Sequence, residues 1–386
     1  MGHARSVRLS KAARTAMIVA LFPSFLSVGG IEMAGRQTAA AFAAIADSRG
    51  WRYEFLGLND ARGEHETCAG ERRFRFRGFD RRKFRFILAA LRAARERPKI
   101  IFAAHPNLAP IAVAMRVFAR DARVIVGTHG IEVWEALPRI RRSTLRSADI
   151  VVAPSSDTAR KLTAAQGIPE AKIRRVPWPL DPEMMDLAQS PERLPLPREF
   201  PNGKVILSVG RWAANERYKG ADLLIEAFAA LAKEFPDAHL VLVGQGDDLT
   251  RLQDLARQSG EAQRIHFLTQ LSRRELAACY ARAELFALPS TGEGFGLVFL
   301  EAMAFEKAVI GAPFGGIPDI IDDGKNGILV DPRNLASLAG ALRTLLSNDE
   351  LRREMGKRAG EIVRSRYGFD RFQHEWESLL RMDERA

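Results

Sequence analysis

Short apolar runs alternate with amphipathic stretches along the whole of this 386-residue chain. In the first half the runs TAMIVALF (15–22), RYEFLGL (52–58), KIIFAAH (99–105), RVIVGTH (123–129) and DIVVAPS (149–155) read as strands. Helical periodicity fills the intervals, as at 34–46 and 82–95. The second half repeats the scheme with KVILSVG (204–210), HLVLVGQG (239–246), IHFLT (265–269), LFALPS (285–290) and AVIGAP (308–313). Continuous Val/Ile/Leu runs mark strands buried on both faces, and the helices between them supply the crossovers that parallel strands require. The pattern predicts an α/β chain of two doubly wound units. Residues 180–204 are rich in proline and charge and lack a period, as a linker would. We place the first unit at 1–190, the linker at 191–203, the second unit at 204–365 and a terminal amphipathic helix, free to return to the first unit, at 366–386.

The length by itself suits two domains, and 47% hydrophobic with 27% charged residues is a globular composition. Cys68 and Cys279 are the only cysteines and lie far apart, which argues against a disulfide framework and suits a reducing compartment. The amino terminus has the outline of a signal peptide, basic and then apolar. However, Pro23 interrupts a short apolar stretch and no small-residue cleavage site follows, so a buried first strand is the better reading. No run is long enough to span a bilayer. Charge changes the picture more. Residues 1–190 hold 32 Lys+Arg against 18 Asp+Glu, and the remainder 26 against 29, so the whole positive excess sits in the first half. One basic half implies an anionic partner. Its densest window, RRFRFRGFDRRKFRF (72–86), has eight basic residues and one acidic, Asp80. It fits a strand with Phe inward and Arg outward, and it equally fits docking on an anionic membrane surface.

Candidate chemistry concentrates in STGEGFGLVFLEAM (290–303). Gly294 and Gly296 permit close backbone approach at the carboxyl end of a parallel strand. The free N–H groups of the helix starting near Leu297 favour phosphate. Glu293 and Glu301 flank this turn. On a regular helix they would differ by roughly 12 Å in height and roughly 80° in direction, too far to chelate one ion. They suit the two ends of an extended ligand such as a nucleotide sugar. Asp247–Asp248 and Asp322–Asp323 are adjacent pairs and not the D-x-D of a metal–diphosphate site.

Residues 293–301 closely resemble the E-x7-E signature of retaining glycosyltransferases of the two-Rossmann-domain GT-B class, family 4 in particular. SVGRWAANERYKG (208–220), LVLVGQGDD (240–248), FLTQLSRREL (267–276), FGGIPDII (314–321) and DGKNGILV (323–330) follow the same family pattern, which covers essentially the whole second half. The resemblance implies a GT-B fold with two Rossmann-like domains facing a central cleft. It also implies transfer of a hexose from a GDP- or UDP-linked donor to an acceptor hydroxyl, with retained configuration. By it, Glu293 contacts the donor sugar and Glu301 the ribose. Phe295, Gly296 and Leu297 lie near the sugar and diphosphate, and Gly210, Arg211 and Lys219 hold the diphosphate. Fixed cations there would stabilise the charge that builds on the leaving group, so no metal and no cofactor is expected. Gly29 and Gly30 would border the cleft. THGIE (128–132) is similar to the segment of enzymes that transfer mannose, in which His129 would face the donor sugar; Glu132 and Trp134 are candidates for the acceptor. The expected catalytic set is His129, Arg211, Lys219 and Glu293. A lipid-linked or cell-envelope acceptor, and a cytoplasmic enzyme held on the inner face of the membrane, follow from the basic half. Two departures from the pattern are Thr269, where relatives carry glycine, and PWPLD (177–181), where they carry Pro-Asn-Gly-x-Asp. The rival readings are a sugar-nucleotide 2-epimerase of the same fold and a basic nucleic-acid-binding protein.

Overall fold

The computed structural model describes residues 15–27 and 29–381; the basic segment before residue 15 and residues 382–386 of the expected terminal helix lie outside them. Eight strands form the first sheet: β1 Met17–Phe22, β2 Arg52–Gly57, β3 Gly63–Ala69, β4 Arg72–Gly78, β5 Ile100–Ala103, β6 Arg123–Gly127, β7 Ile150–Ala153 and β8 Ile173–Arg175. Their order is β3-β4-β2-β1-β5-β6-β7-β8, parallel except for the β3–β4 pair. The second sheet comprises β9 Lys204–Val209, β10 Ala238–Val243, β11 Ile265–Leu268, β12 Leu285–Leu288, β13 Ala308–Gly311 and β14 Gly327–Leu329, ordered β11-β10-β9-β12-β13-β14 and wholly parallel. In both sheets the order reverses beside the first strand, between β1 and β5 and between β9 and β12. The chain opens a crevice at such switch points, outside the carboxyl ends of the strands.

Edge strand β3 (GEHETCA) is absent from the sequence reading because it has no apolar face; its side chains alternate between half-buried and exposed. Its partner β4 is the strand of the basic window. Phe74 and Phe76 point inward onto Phe25, with ring centroids at 5.3 and 4.5 Å, while Arg73 and Arg75 are exposed. Of the five phenylalanines in 72–86, only Phe84 is exposed. The docking expectation therefore narrows to the turn and helix after β4, because the strand's rings are spent on the core. The region expected to be a structureless linker contains a short helix, Pro182–Leu187, started by Asp181, whose carboxylate accepts the Glu183 N–H at 3.1 Å.

The last helix, Phe369–Arg381, packs on Gly30–Ser48 of the first unit. Trp376 stands edge-on to Phe42 at 4.9 Å and to Phe102 at 5.4 Å, and Phe369, Phe372, Leu379 and Leu380 join the same core. Arg123 donates to the Leu379 carbonyl at 3.1 Å, and Arg72 pairs with Asp370 at 2.7 Å. The chain thus crosses back after completing the second sheet. Trp376→Ala should cost about 3–5 kcal/mol, since it empties a fully packed aromatic site. Urea unfolding followed by fluorescence will register this as a lower midpoint; an unchanged midpoint would show that the helix is not part of the core.

Candidate active site

Four loops at strand carboxyl ends converge. Asp60, itself buried, anchors the loop after β1 by accepting the backbone N–H of Phe25 and Leu26 and the Ser24 hydroxyl at 2.7–3.0 Å. That brings Gly30 over the second unit, where a side chain at this position would lie 3.7 Å from Leu297. The loops after β6 and β12 meet even more closely. A Cβ on Gly130, which has φ of 134°, would sit 2.4 Å from the Gly294 Cα, and one on Gly294 would sit 2.3 Å from the His129 carbonyl. Neither position can carry a side chain while the two units touch.

The loop after β9 supplies the charge. Lys219 Nζ lies 2.8 Å from Glu293 Oε1 and 3.8 Å from Glu216 Oε2, and Glu216 also pairs with Arg211. Glu216 is buried, Lys219 and Glu293 nearly so, and Arg211 extends into solvent. The backbone brings these groups together: Gly210 ends β9 where a side chain would crowd the Lys219 stem at 3.3 Å, and Thr291 N–H donates to the Tyr218 carbonyl at 2.8 Å. Two cations are thus held against two carboxylates at the floor of the crevice, an arrangement that an entering diphosphate can rearrange by replacing carboxylate oxygens with its own. Glu216 was not read from the sequence; it lies at a kink in the short turn Ala214–Lys219, where no helical periodicity marks it.

The other glutamate sits apart. Glu293 lies in the turn before the helix and Glu301 within it, so the regular-helix geometry does not hold for the pair. Glu301 is 4% exposed, accepts from the Tyr280 hydroxyl at 2.9 Å and lies 3.8 Å from Arg273. Burial lifts its carboxyl above the ordinary range, while Arg273 and Tyr280 pull it back. Arg273 also pairs with Asp181 and touches Met33 of the first unit, tying this end of the crevice to the linker. Arg273 and Tyr280 escaped the sequence reading because nothing in a helical RRELAACY marks one residue as reaching a carboxylate 21 or more positions away.

His129 lies under the contact between the units. Its Nε2–H donates to the Ala104 carbonyl at 2.6 Å, which leaves Nδ1 buried and without a partner. Burial pushes its pKa down to about 4, and that of neighbouring His105 likewise. Burial thus favours the neutral imidazole, which donates through Nε2 and leaves Nδ1 as an acceptor. Its ring packs on Trp178 at 5.2 Å, and Trp178 in turn on Phe295 at 5.7 Å, so the tryptophan that departs from the family pattern walls the crevice. The candidates for acceptor contact are engaged within the protein. Glu132 accepts the His129 backbone N–H at 2.6 Å and closes that turn, and Lys161 covers one face of Trp134 at 3.4 Å from the ring centre.

Two doubly wound sheets facing one another across a crevice that both sets of carboxyl-terminal loops line define the GT-B class of two-domain glycosyltransferases. Residues 28–184 match the Glycosyltransferase Family 4 model and residues 196–361 the Glycosyl transferases group 1 model, and the chain belongs to this family. It is 31% identical over 299 residues to a GDP-mannose-dependent alpha-(1-6)-phosphatidylinositol monomannoside mannosyltransferase of Mycobacterium tuberculosis, covering 74% of this chain and 76% of that protein. It is 34% identical over 224 residues to a D-inositol 3-phosphate glycosyltransferase of Corynebacterium jeikeium, covering 55% of this chain and 52% of the relative. Among solved structures, sucrose-phosphate synthase from Thermosynechococcus elongatus superposes with a TM-score of 0.74 at 21% identity, covering 95% and 98% of the two chains. Anabaena HepE, solved in complex with UDP, gives 0.71 at 20%, covering 94% and 99%. The protein is a glycosyltransferase that uses a nucleotide sugar.

The histidines set a pH dependence. In the unfolded chain both titrate near 6.5, whereas in the fold they stay neutral down to about 4. The unfolded state binds more protons throughout that window. Stability is therefore full above pH 6.5 and falls as the pH drops towards 4, by up to about 1.4 kcal/mol per pH unit for each histidine. Glu132 and Glu301, held above their ordinary range, act in the opposite sense at the acid end. His129→Gln should flatten the profile between pH 6.5 and 5 in urea titrations at fixed pH values; a slope equal to wild type would contradict the neutral, buried imidazole.

Proposed function

We propose that this protein transfers mannose from GDP-mannose, with retention, to a hydroxyl of a lipid-linked or cell-envelope glycan, without a metal ion and at the inner face of the cell membrane. The observation that supports this most directly is the Lys219–Glu293–Glu216–Arg211 cluster at the switch point of the second sheet, close to the His129–Gly130 loop of the first. In this reading the donor diphosphate takes over Arg211 and Lys219, and Glu293, released from Lys219, turns to the hexose hydroxyls. The Nδ1 lone pair of His129 accepts a hydrogen bond from a hydroxyl of the same sugar. Glu301 holds the ribose, with Tyr280 and Arg273 fixing its orientation. The bond from the anomeric carbon to the diphosphate oxygen breaks as the acceptor oxygen attacks from the same face, and the acceptor proton passes to the departing diphosphate. Arg211 and Lys219 stabilise the charge that develops there, the task a divalent cation performs elsewhere.

Mannose and the lipid-linked acceptor are favoured by the THGIE segment and by the activity named for the mycobacterial relative. The basic first half favours the membrane. Among the described residues no helix is long and apolar enough to cross a bilayer, so contact would be peripheral where it occurs through this part of the chain.

A thermal-shift series with GDP-mannose, UDP-glucose and ADP-glucose should give its largest stabilisation with GDP-mannose; a larger shift with UDP-glucose would overturn the assignment of the base. Activity should survive EDTA, and loss restored by Mg²⁺ would refute metal independence. Lys219→Ala should lower kcat/KM by about 10²–10³ with folding intact, as removal of a charge-stabilising donor does. Glu301→Ala should act mainly through the KM of the donor, and unchanged donor affinity would remove it from the ribose site.

A further inference from the structure

Asp181 and Met33, which both contact Arg273, also line a cavity of about 410 Å³ that holds none of the residues assigned to the donor. Three elements enclose it: the helix Gly30–Ser48, the turn between β3 and β4, and the linker helix Pro182–Leu187 with its cap Asp181. The turn and the linker helix press together, since a Cβ on Gly70, at φ of 60°, would lie 2.8 Å from the Pro182 Cβ. Met33, Arg36 and Gln37 share the face of the long helix that borders the cavity, at spacings of three and four residues. Gln37 is 1% exposed, and neither its Nε2 nor its Oε1 meets a hydrogen-bond partner in the protein. A buried amide left unpaired at both ends is strongly unfavourable, and native interiors rarely keep one without a use. Carboxylates dominate the rest of the wall. Asp181 and Glu183 pair with Arg273, whereas Glu71 and Asp186 form no ion pair among the described residues. Arg36 is the one cation lining the cavity among the described residues, and its Nη1 is spent on the carbonyls of Phe25 and Ser27 at 2.6 and 3.3 Å. This balance disfavours an anion, and an apolar ligand would leave Gln37 unpaired. No group of three His, Cys, Asp or Glu among the described residues could hold a metal ion.

We infer that this cavity is a second binding site, separate from the donor crevice, for a hydroxylated amine of monosaccharide size such as an amino sugar. A hydroxyl both donates and accepts, so ring hydroxyls satisfy the Gln37 amide at its two ends, and the ammonium group is met by Glu71 and Asp186. The volume lies at the lower end of the range for small-ligand sites and suits a single ring. A ligand there ties the helix Gly30–Ser48 of the first unit to the linker, beside the Asp181–Arg273 pair. The inference goes beyond the proposed reaction and does not depend on the identity of its donor or acceptor.

The test uses a thiol at the rim. Cys68 lines the cavity and is exposed, whereas Cys279 is buried and its thiol is pushed up to about 12, so N-ethylmaleimide should label Cys68 alone. Glucosamine should slow this labelling in a saturable way. Glucose, which lacks the ammonium group, and putrescine, which lacks the hydroxyls, should protect about tenfold more weakly. Equal protection by glucose would overturn the role of the two carboxylates, and equal protection by putrescine would overturn the contact with Gln37. Protection by inorganic phosphate, or by none of these compounds, would overturn the site. Glu71→Gln/Asp186→Asn should weaken protection by glucosamine about tenfold and leave that by glucose unchanged. Gln37→Leu should weaken both without lowering the melting temperature, because an apolar side chain of similar size removes the unpaired amide. A lower melting temperature with unchanged protection would show that the amide serves the fold instead. Labelling needs no nucleotide sugar, so failure of this site and failure of the proposed reaction are read separately.

Discussion

The two units meet where backbone touches backbone, and this contact sets the geometry of everything between them. Gly130 and Gly294 face each other with no room for a β-carbon on either, and Gly315, at φ of 61°, admits none against the Glu293 carbonyl. Close approach places the His129 loop against the Glu293 turn. A methyl group at any of these positions would wedge the loops apart by more than an ångström, in a crevice whose polar contacts are made at 2.6–2.9 Å. A further contact holds the units in the same pose: the Ser156 N–H donates to Asp319. Glycines that look like turn residues in the sequence are here the condition for a shared site.

Within that frame the charges are paired. Arg211, Lys219, Glu216 and Glu293 balance one another. A crevice with two bare cations would carry a cost of like-charge repulsion and loop disorder; here the carboxylates hold the cations in place in advance. Preorganisation of this kind is what makes electrostatic stabilisation effective, because little reorientation remains when charge develops. Glu301 illustrates the complementary case. Its burial is costly for a carboxylate, and a tyrosine hydroxyl and an arginine offset that cost while leaving one oxygen only loosely engaged at 3.8 Å.

Most of the architecture was legible because parallel strands buried on both faces must be continuous apolar runs, and ten such runs stand out. The polar edge strand β3 was not, because a strand with one face in water and the other barely covered carries no such signature. The short helix at 182–187 was hidden by the prolines around it. At the site, residues recognisable by motif lie at the crevice: Arg211, Lys219, Glu293 and Glu301, with Gly30 and Gly294 where the units touch. What no local pattern could supply were the long-range partners. Tyr280 and Arg273 reach Glu301 only through the packing of two helices, and Trp178 reaches His129 only through the path of the chain after β8. Glu132 and Trp134 likewise have partners that no motif announces, the His129 backbone N–H and Lys161.

The return of the final helix to the first sheet has a consequence for synthesis on the ribosome. The core on one face of that sheet contains Phe42 and Phe102, emerging early, and Trp376, Leu379 and Leu380, which emerge some 270 residues after Phe102. The leading unit therefore waits, with an apolar face uncovered, until the trailing unit has been translated. Assembly of this enzyme closes like a clasp, its two halves maturing together instead of in the order in which they are made.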